Sequence, residues 1–275
     1  MNPSDQKYIL QEKRLQERMQ KIRYKFIVMS GKGGVGKTTV SVNLAVSLAQ
    51  RGKKVGLLDV DIHGPNIAKM LGVEHLKCLG SEDGIEPAEV SENLKAVSIS
   101  MLMNDSDQPV VWRGPLKMLT IKQFLSDVNW GDLDYLVVDS PPGTGDEPLS
   151  VCQLIPDING AVIVTTPQAV ALMDARKSVL FAQSIKVPVI GVIENMSGFV
   201  CPHCRQSIDL FGTGGGEAAA GDLRVPFLGR VAFDPRIIKQ GDEGRFFLQT
   251  ATSQGSCDWM DDIVKNILHS LEAGS

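Results

Sequence analysis

The stretch "FIVMSGKGGVGKTT", residues 26–39, decides the fold. Its first four residues are apolar and read as a strand buried on both faces. Gly31 to Thr38 then fits the pattern G-x-x-x-x-G-K-S/T. A helix-like stretch, Thr39 to Gln50, follows. Strand, glycine loop and helix in that order make a phosphate cradle. The glycines let the backbone aim several N–H groups inward, and the helix N-terminus adds partial positive charge. Lys37 is placed to reach the β- and γ-phosphates of a nucleotide, and the Thr38 hydroxyl to hold Mg²⁺. The expected binding residues are Gly31, Lys32, Gly33, Gly34, Val35, Gly36, Lys37, Thr38 and Thr39.

Outward from this loop, short runs rich in Val, Ile and Leu predict strands at 25–30, 54–59, 95–100, 134–139, 160–165 and 188–194. Helices are expected at 37–51, 115–127, 147–155 and 169–185. The alternation implies an α/β fold, a doubly wound and mostly parallel sheet with helices on both faces. Ligands of such sheets gather at the carboxyl ends of the strands.

Residues 1–24 read as a basic helical arm and 25–275 as a single domain. Residues 7–25 hold seven Lys or Arg against two Glu, with Ile9, Leu10, Met19 and Ile22 spaced as on a helix face. That arm is expected to pack on its own domain rather than on a membrane. Trp259, Ile263, Ile267 and Leu271 predict a terminal helix docked on the core, and Gly212 to Gly216 a bent or mobile turn. Of 275 residues, 43% are apolar and 22% charged, enough for a large core, and the net charge of −4 gives no bulk attraction to nucleic acid. No apolar run approaches a membrane span, and the polar start lacks a signal segment. The expectation is therefore a cytoplasmic protein with reduced thiols, acting on neither membrane nor nucleic acid.

Two acids are expected to serve the nucleotide. Asp139 ends the run Tyr135 to Val138, the position of a carboxylate that supports Mg²⁺. In "LLDVDIHGPN", residues 57–66, Asp61 lies further out than Asp59 and is the better placed to orient an attacking water. Asp59 reads as a structural strand-end acid, and His63 as a solvated loop histidine. In "SPPGTGD", residues 140–146, the Gly143 N–H is placed to meet a γ-phosphate, so that the loop switches on hydrolysis.

Lys32 is the oddity of the loop. Its own backbone wraps the phosphates, so its side chain points away from them. It is either a solvated lysine or a charge that crosses to the nucleotide of a facing second subunit. Cys201 and Cys204, in "CPHC", supply half of a tetrahedral sulfur site, and no second pair stands close in sequence. In a twofold dimer two such pairs can meet on the axis and close one site, which suits a 4Fe–4S cluster or zinc. A thiol-redox role lacks the flanking strand–helix pattern, and a zinc clasp is the blander alternative. Cys78, Cys152 and Cys257 stand alone as small core or surface residues.

"GKGGVGKT" resembles the deviant phosphate loop of the MinD/ParA/nitrogenase iron protein group of P-loop ATPases. More narrowly, "WGDLDYLVVDSPPGTGD" (130–146), "DVDIHGPN" (59–66), "TTPQAVALMDARK" (165–177), "ENMSGFVCPHC" (194–204) and "FGTGGGEAAA" (211–220) resemble the Mrp/ApbC-type iron–sulfur cluster carriers. The resemblance runs from about residue 24 to 250. It implies a slow, Mg²⁺-dependent ATPase in which ATP closes a homodimer and hydrolysis loosens it. Lys32, Lys37 and Asp61 would promote hydrolysis, Thr38 and Asp139 would serve Mg²⁺, and Asn195 would contact the adenine base. Cys201 and Cys204 would bind a 4Fe–4S cluster across the interface. The cluster would come from an assembly scaffold and pass to apo iron–sulfur proteins. The rival is a ParA- or MinD-like positioning ATPase acting on DNA or membrane, which has no need of the cysteines. Residues 1–30 hold no cysteine, so the N-terminal cluster site of some eukaryotic relatives is not expected.

Overall fold

In a computed structural model of the chain, residues 3–62, 64–81, 84–102, 114–201, 203–245 and 258–273 are described. His63 and Cys257 lie outside them. In chain order the elements are α1 (Pro3–Gln20), β1 (Ile22–Met29), α2 (Lys37–Gln50), β2 (Val55–Asp59), α3 (Ile67–Leu71), β3 (Leu79–Ser81), β4 (Gly84–Glu86), β5 (Ala88–Ser91) and β6 (Leu94–Val97). Then come α4 (Gly114–Asp127), β7 (Leu133–Asp139), α5 (Asp146–Leu154), β8 (Gly160–Thr165), α6 (Ala169–Ser184), β9 (Val189–Glu194), β10 (Phe199–Val200) and β11 (Ser207–Ile208). The chain continues through α7 (Gly215–Leu223), β12 (Phe227–Arg230), α8 (Pro235–Asp242) and α9 (Asp258–Ala273).

The main sheet has eight strands in the order β12-β9-β8-β1-β7-β2-β6-β5. Every neighbouring pair is parallel except β5 with β6 at the edge. β1 lies between β7 and β8, so the chain order reverses around it, and a crevice opens at its carboxyl end. Phe26, Ile27, Val28 and Met29 are fully buried, as expected of a central strand with helices on both faces. α2 and α9 pack together against the sheet; α1, α4 and α5 form one packed group on the other side, and α6 and α7 another.

The six predicted strands all exist, with one correction. The third ends at Val97, and Ile99–Met101 forms a 3₁₀ turn. The arm also differs. Ile22, Arg23 and Tyr24 open β1, paired to β7 from Ile22 opposite Leu133. In α1 the buried residues are Leu15 and Met19, whereas Ile9 and Leu10 are exposed. α1 lies along α4, where Lys122 bridges to Glu12 at 2.8 Å and sits over the Tyr8 ring, and it turns Ile9 and Leu10 to the outside. α9 docks as expected, with Met260, Ile263, Val264, Ile267 and Leu271 buried against β12, β9 and α2.

Met19 is 1% exposed. Met19→Ala should cost about 2–5 kcal/mol of stability, as a large-to-small core substitution does. Urea unfolding checks this, and a change near zero would show that α1 is not part of the cooperative unit.

Candidate functional site

The phosphate loop leaves β1 at Ser30, whose hydroxyl donates to the Lys32 carbonyl at 3.0 Å. Gly34 and Gly36 take φ of +80° and +81°, a region that glycine enters without strain. Gly36 caps α2, and a Cβ there would lie 2.2 Å from Asn195 Nδ2. Gly31 is equally tight, since a Cβ would lie 2.2 Å from the Asp174 carbonyl oxygen on α6.

Beneath the loop lies Asp139, fully buried at the end of β7. Its Oδ2 is 2.8 Å from Lys37 Nζ and accepts from the Thr38 hydroxyl at 2.7 Å. Its Oδ1 accepts from Ser41 Oγ at 2.6 Å. Lys37 and Ser41 share one face of α2 because they stand four residues apart. Asp59 is the register partner of Asp139 on β2 and is also buried. Its Oδ2 accepts from Ser98 at 3.0 Å and its Oδ1 from the Asp61 amide at 3.1 Å. Burial first, and then the charge of Asp139, push the Asp59 carboxyl well above the usual carboxylate range, with Lys37 and those hydrogen bonds opposing.

Above the loop is a cleft of about 480 Å³, of the size that small-molecule sites have. Gly33, Gly34, Gly36, Lys37, Thr38, Thr39, Asp61 and Asn195 line it. Gly31, Lys32, Val35 and Gly143 do not. Val35 is buried, Lys32 is half-exposed, and the Gly143 amide donates to the Ser30 carbonyl at 2.8 Å. Asn195 reaches the loop itself, its Nδ2 donating to the Val35 carbonyl at 2.8 Å. The roof is made by α3 and α8, through Lys69, Met70, Ile237, Ile238 and Gly241. These two helices meet where Gly72 faces Gly244, since a Cβ on Gly72 would lie 2.4 Å from the Gly244 carbonyl oxygen.

The cysteines stand apart from the cleft on the β10–β11 hairpin, where Phe199 pairs with Ile208 and Val200 with Ser207. The Cys201 amide donates to the Gln206 carbonyl at 3.0 Å, and the Arg205 amide to the Cys201 carbonyl at 2.9 Å. Cys204 is exposed and Cys201 half-exposed. Backbone N–H groups of Cys204 and His203, then the Cys204 side chain, pull the Cys201 thiol below its usual range, as suits a thiolate ligand. Cys152 is the contrast, pushed up to about 11 by burial. Among the described residues no group of three or more His, Cys, Asp or Glu could hold a metal ion.

Several residues of the site escaped the sequence reading. Ser41 carried no signal beyond its spacing from Lys37. Glu194 is fully buried between cleft and hairpin. Its Oε1 accepts from Ser197 Oγ at 2.5 Å and the Gly214 amide at 2.8 Å, and its Oε2 from the Gly216 amide. Arg230 Nε lies 3.6 Å away. The carboxylate thus holds the N-terminus of α7, which explains the glycine run: a Cβ on Gly216 would lie 2.9 Å from Glu194 Cβ. A cluster of bare N–H groups at a helix start asks for an anion, and that was the available signal.

A glycine loop over a buried acid at the switch point of a parallel sheet defines a P-loop nucleotide-binding protein. Comparison gives the narrower class. Residues 21–268 match the model described as "ParA: NUBPL iron-transfer P-loop NTPase", and the chain belongs to that family. An iron-sulfur cluster carrier protein of Methanocaldococcus jannaschii is 54% identical over 234 residues, 85% of this chain and 81% of that one. One of Methanococcus maripaludis is 52% identical over 243 residues, 88% of this chain and 84% of that one. Among solved structures, a nucleotide-binding protein in complex with ADP from Archaeoglobus fulgidus superposes with a TM-score of 0.75 at 41% identity, covering 85% of this chain and 91% of that one.

Glu194→Gln should lower stability by about 1–3 kcal/mol, because an amide NH₂ would then face backbone donors in a buried site. Thermal unfolding of the two proteins measures it, and equal midpoints would deny Glu194 this anchoring role.

Proposed function

We propose that the chain is an ATP-hydrolysing iron–sulfur cluster carrier that works as a homodimer. The observation that carries this is the hairpin: two accessible thiols, one of them acidified, form half of a tetrahedral sulfur set. A second copy facing the first across a twofold axis completes four thiolates, the set a 4Fe–4S cluster takes. Val170 and Met173 on α6, with Val200 and Leu210 around the hairpin, are exposed apolar residues on the elements that flank the loop and the cysteines. Such a surface favours burial against a partner. The relatives' name supports the cargo.

ATP is the substrate of the cleft, with its phosphates on the loop N–H groups and Lys37. The Thr38 hydroxyl and the Asp139 carboxylate form a set of hard oxygens that fits Mg²⁺, which when bound would neutralise phosphate charge. Lys32, turned out of its own cleft, supplies charge to the partner's nucleotide. Asp61, which lines the cleft and accepts the Gly64 amide at 3.3 Å, orients the attacking water. Asn195 contacts the base. The Gly143 N–H, held by Ser30 here, exchanges that carbonyl for a γ-phosphate oxygen, so the loop responds to hydrolysis. Slow turnover fits a switch that times cluster release. A cytoplasmic assembly scaffold loads the cluster, and apo-proteins receive it; neither nucleic acid nor membrane takes part.

Anaerobic reconstitution with iron and sulfide tests the reading. Wild type should take about four irons per dimer with absorbance near 400 nm, as a shared 4Fe–4S cluster requires, and Cys201→Ala/Cys204→Ala should take none. A colourless wild type that dimerises with zinc overturns it. Lys32→Ala should lower the hydrolysis rate by about 10²–10³-fold, the scale of a lost charge-stabilising donor. An unchanged rate would make Lys32 a solvated lysine.

A further inference from the structure

The cleft has two unlike poles. At one, the phosphate loop, Lys37 and Asp139 gather at the ends of β1 and β7. At the other, Met196, Ala232, Phe233, Ile237 and Ile238 make an apolar wall beyond β9 and β12. Sheet order puts β7 on one side of β1 and β9 and β12 on the other. A nucleotide with its phosphates on the loop therefore turns its flat heterocycle to the apolar pole.

Phe233 belongs to that wall and to a second structure. Its ring packs edge-on against Phe199, centroids 5.8 Å apart at 75°, and against Phe211, 5.8 Å apart at 67°. Its amide donates to the Gly198 carbonyl at 2.9 Å. Phe199 opens β10, two residues before Cys201, and pairs with Ile208 on the return strand. One residue is thus shared between the nucleotide cleft and the base of the cysteine hairpin. Tightly packed aromatic rings transmit displacement because edge-to-face geometry is specific and leaves no slack.

We propose that Phe233, braced by Phe199 and Phe211, is a positioning residue that couples occupancy of the nucleotide cleft to the setting of Cys201 and Cys204. The proposal rests on the nucleotide reading above and adds a second route to it. Gly143 senses the γ-phosphate from the β7 side. Phe233 senses the base from the β12 side, and so answers ADP and ATP alike. A vacant cleft and an occupied one then present the thiols differently, whichever nucleotide is bound.

The test uses the reduced, metal-free full chain. Alkylation of Cys201 and Cys204 by iodoacetamide is timed by peptide mass spectrometry, with no nucleotide, with ADP and with a non-hydrolysable ATP analogue. Calorimetry measures nucleotide binding in parallel. Wild type should change its labelling rate by about fivefold with either nucleotide, the low end of coupling between sites. Phe211 does not itself line the cleft, so Phe211→Leu should bind ADP as wild type does, yet lose the change. Phe199→Leu should lose it too, which guards against a folding defect in the first variant. A purely structural role for the rings would alter the nucleotide-free rate and leave the ratio intact; that ratio overturns the proposal. So does a wild-type rate that ignores nucleotide despite calorimetric binding. Absence of binding overturns the nucleotide reading itself, and the link with it.

Discussion

The carboxylate of Asp139 is the point on which the nucleotide cleft hangs. Fully buried, it takes the Thr38 and Ser41 hydroxyls and the Lys37 ammonium, all from the first turns of α2. A charge at that depth is tolerated only with partners on both oxygens, so the acid fixes the helix to the sheet as much as the helix shields the acid. Lys37 is thereby held at the loop, its ammonium buried against the carboxylate at 2.8 Å.

Most of the fold was legible because it is written in two coarse signals. Apolar runs such as Tyr135 to Val138 mark strands buried on both faces, and the glycine loop fixes where β1 ends. What escaped depends on contacts distant in sequence. The third strand stops at Val97 because the chain winds into a 3₁₀ turn at Ile99, just after Ser98 bonds Asp59 of β2, and no local pattern records that bond. β12 has only four residues, broken by Gly229, and owes its place to β9 and α9. In the arm, one helix face was read from Ile9, Leu10, Met19 and Ile22, but of these only Met19 is buried on α1, Ile9 and Leu10 are exposed, and Ile22 opens β1. At the site, Lys37, Thr38 and Asp139 were legible from their motif. Glu194 was not, since a lone acid at a strand end looks alike whether it meets water or three backbone and side-chain donors.

Glu194 and Asn195 show how closely the two halves of the molecule are joined. Consecutive in the chain, they act in different regions. Asn195 supports the phosphate loop at the Val35 carbonyl, while Glu194 supports the glycine turn that borders the hairpin. The carboxyl end of β9 is thus a fork. The phosphate loop and the glycine turn are therefore both tied to adjacent residues of one strand, which is paired to β8 and β12 on either side.

The roof of the cleft has a different character from its floor. α8 buries no residue of its own, and its crossing with α3 is a contact of backbone on backbone at Gly72 and Gly244. Beside that backbone contact the side chains of Met70 and Ile237 are only partly buried, so the roof covers less apolar area than the fully buried strands of the floor. Opening belongs to the weakly held end of the stability range, far below unfolding of the sheet. The cleft therefore joins a lightly anchored wall, α8 with no buried residue of its own, to a floor whose acid is fully buried at the end of a central strand.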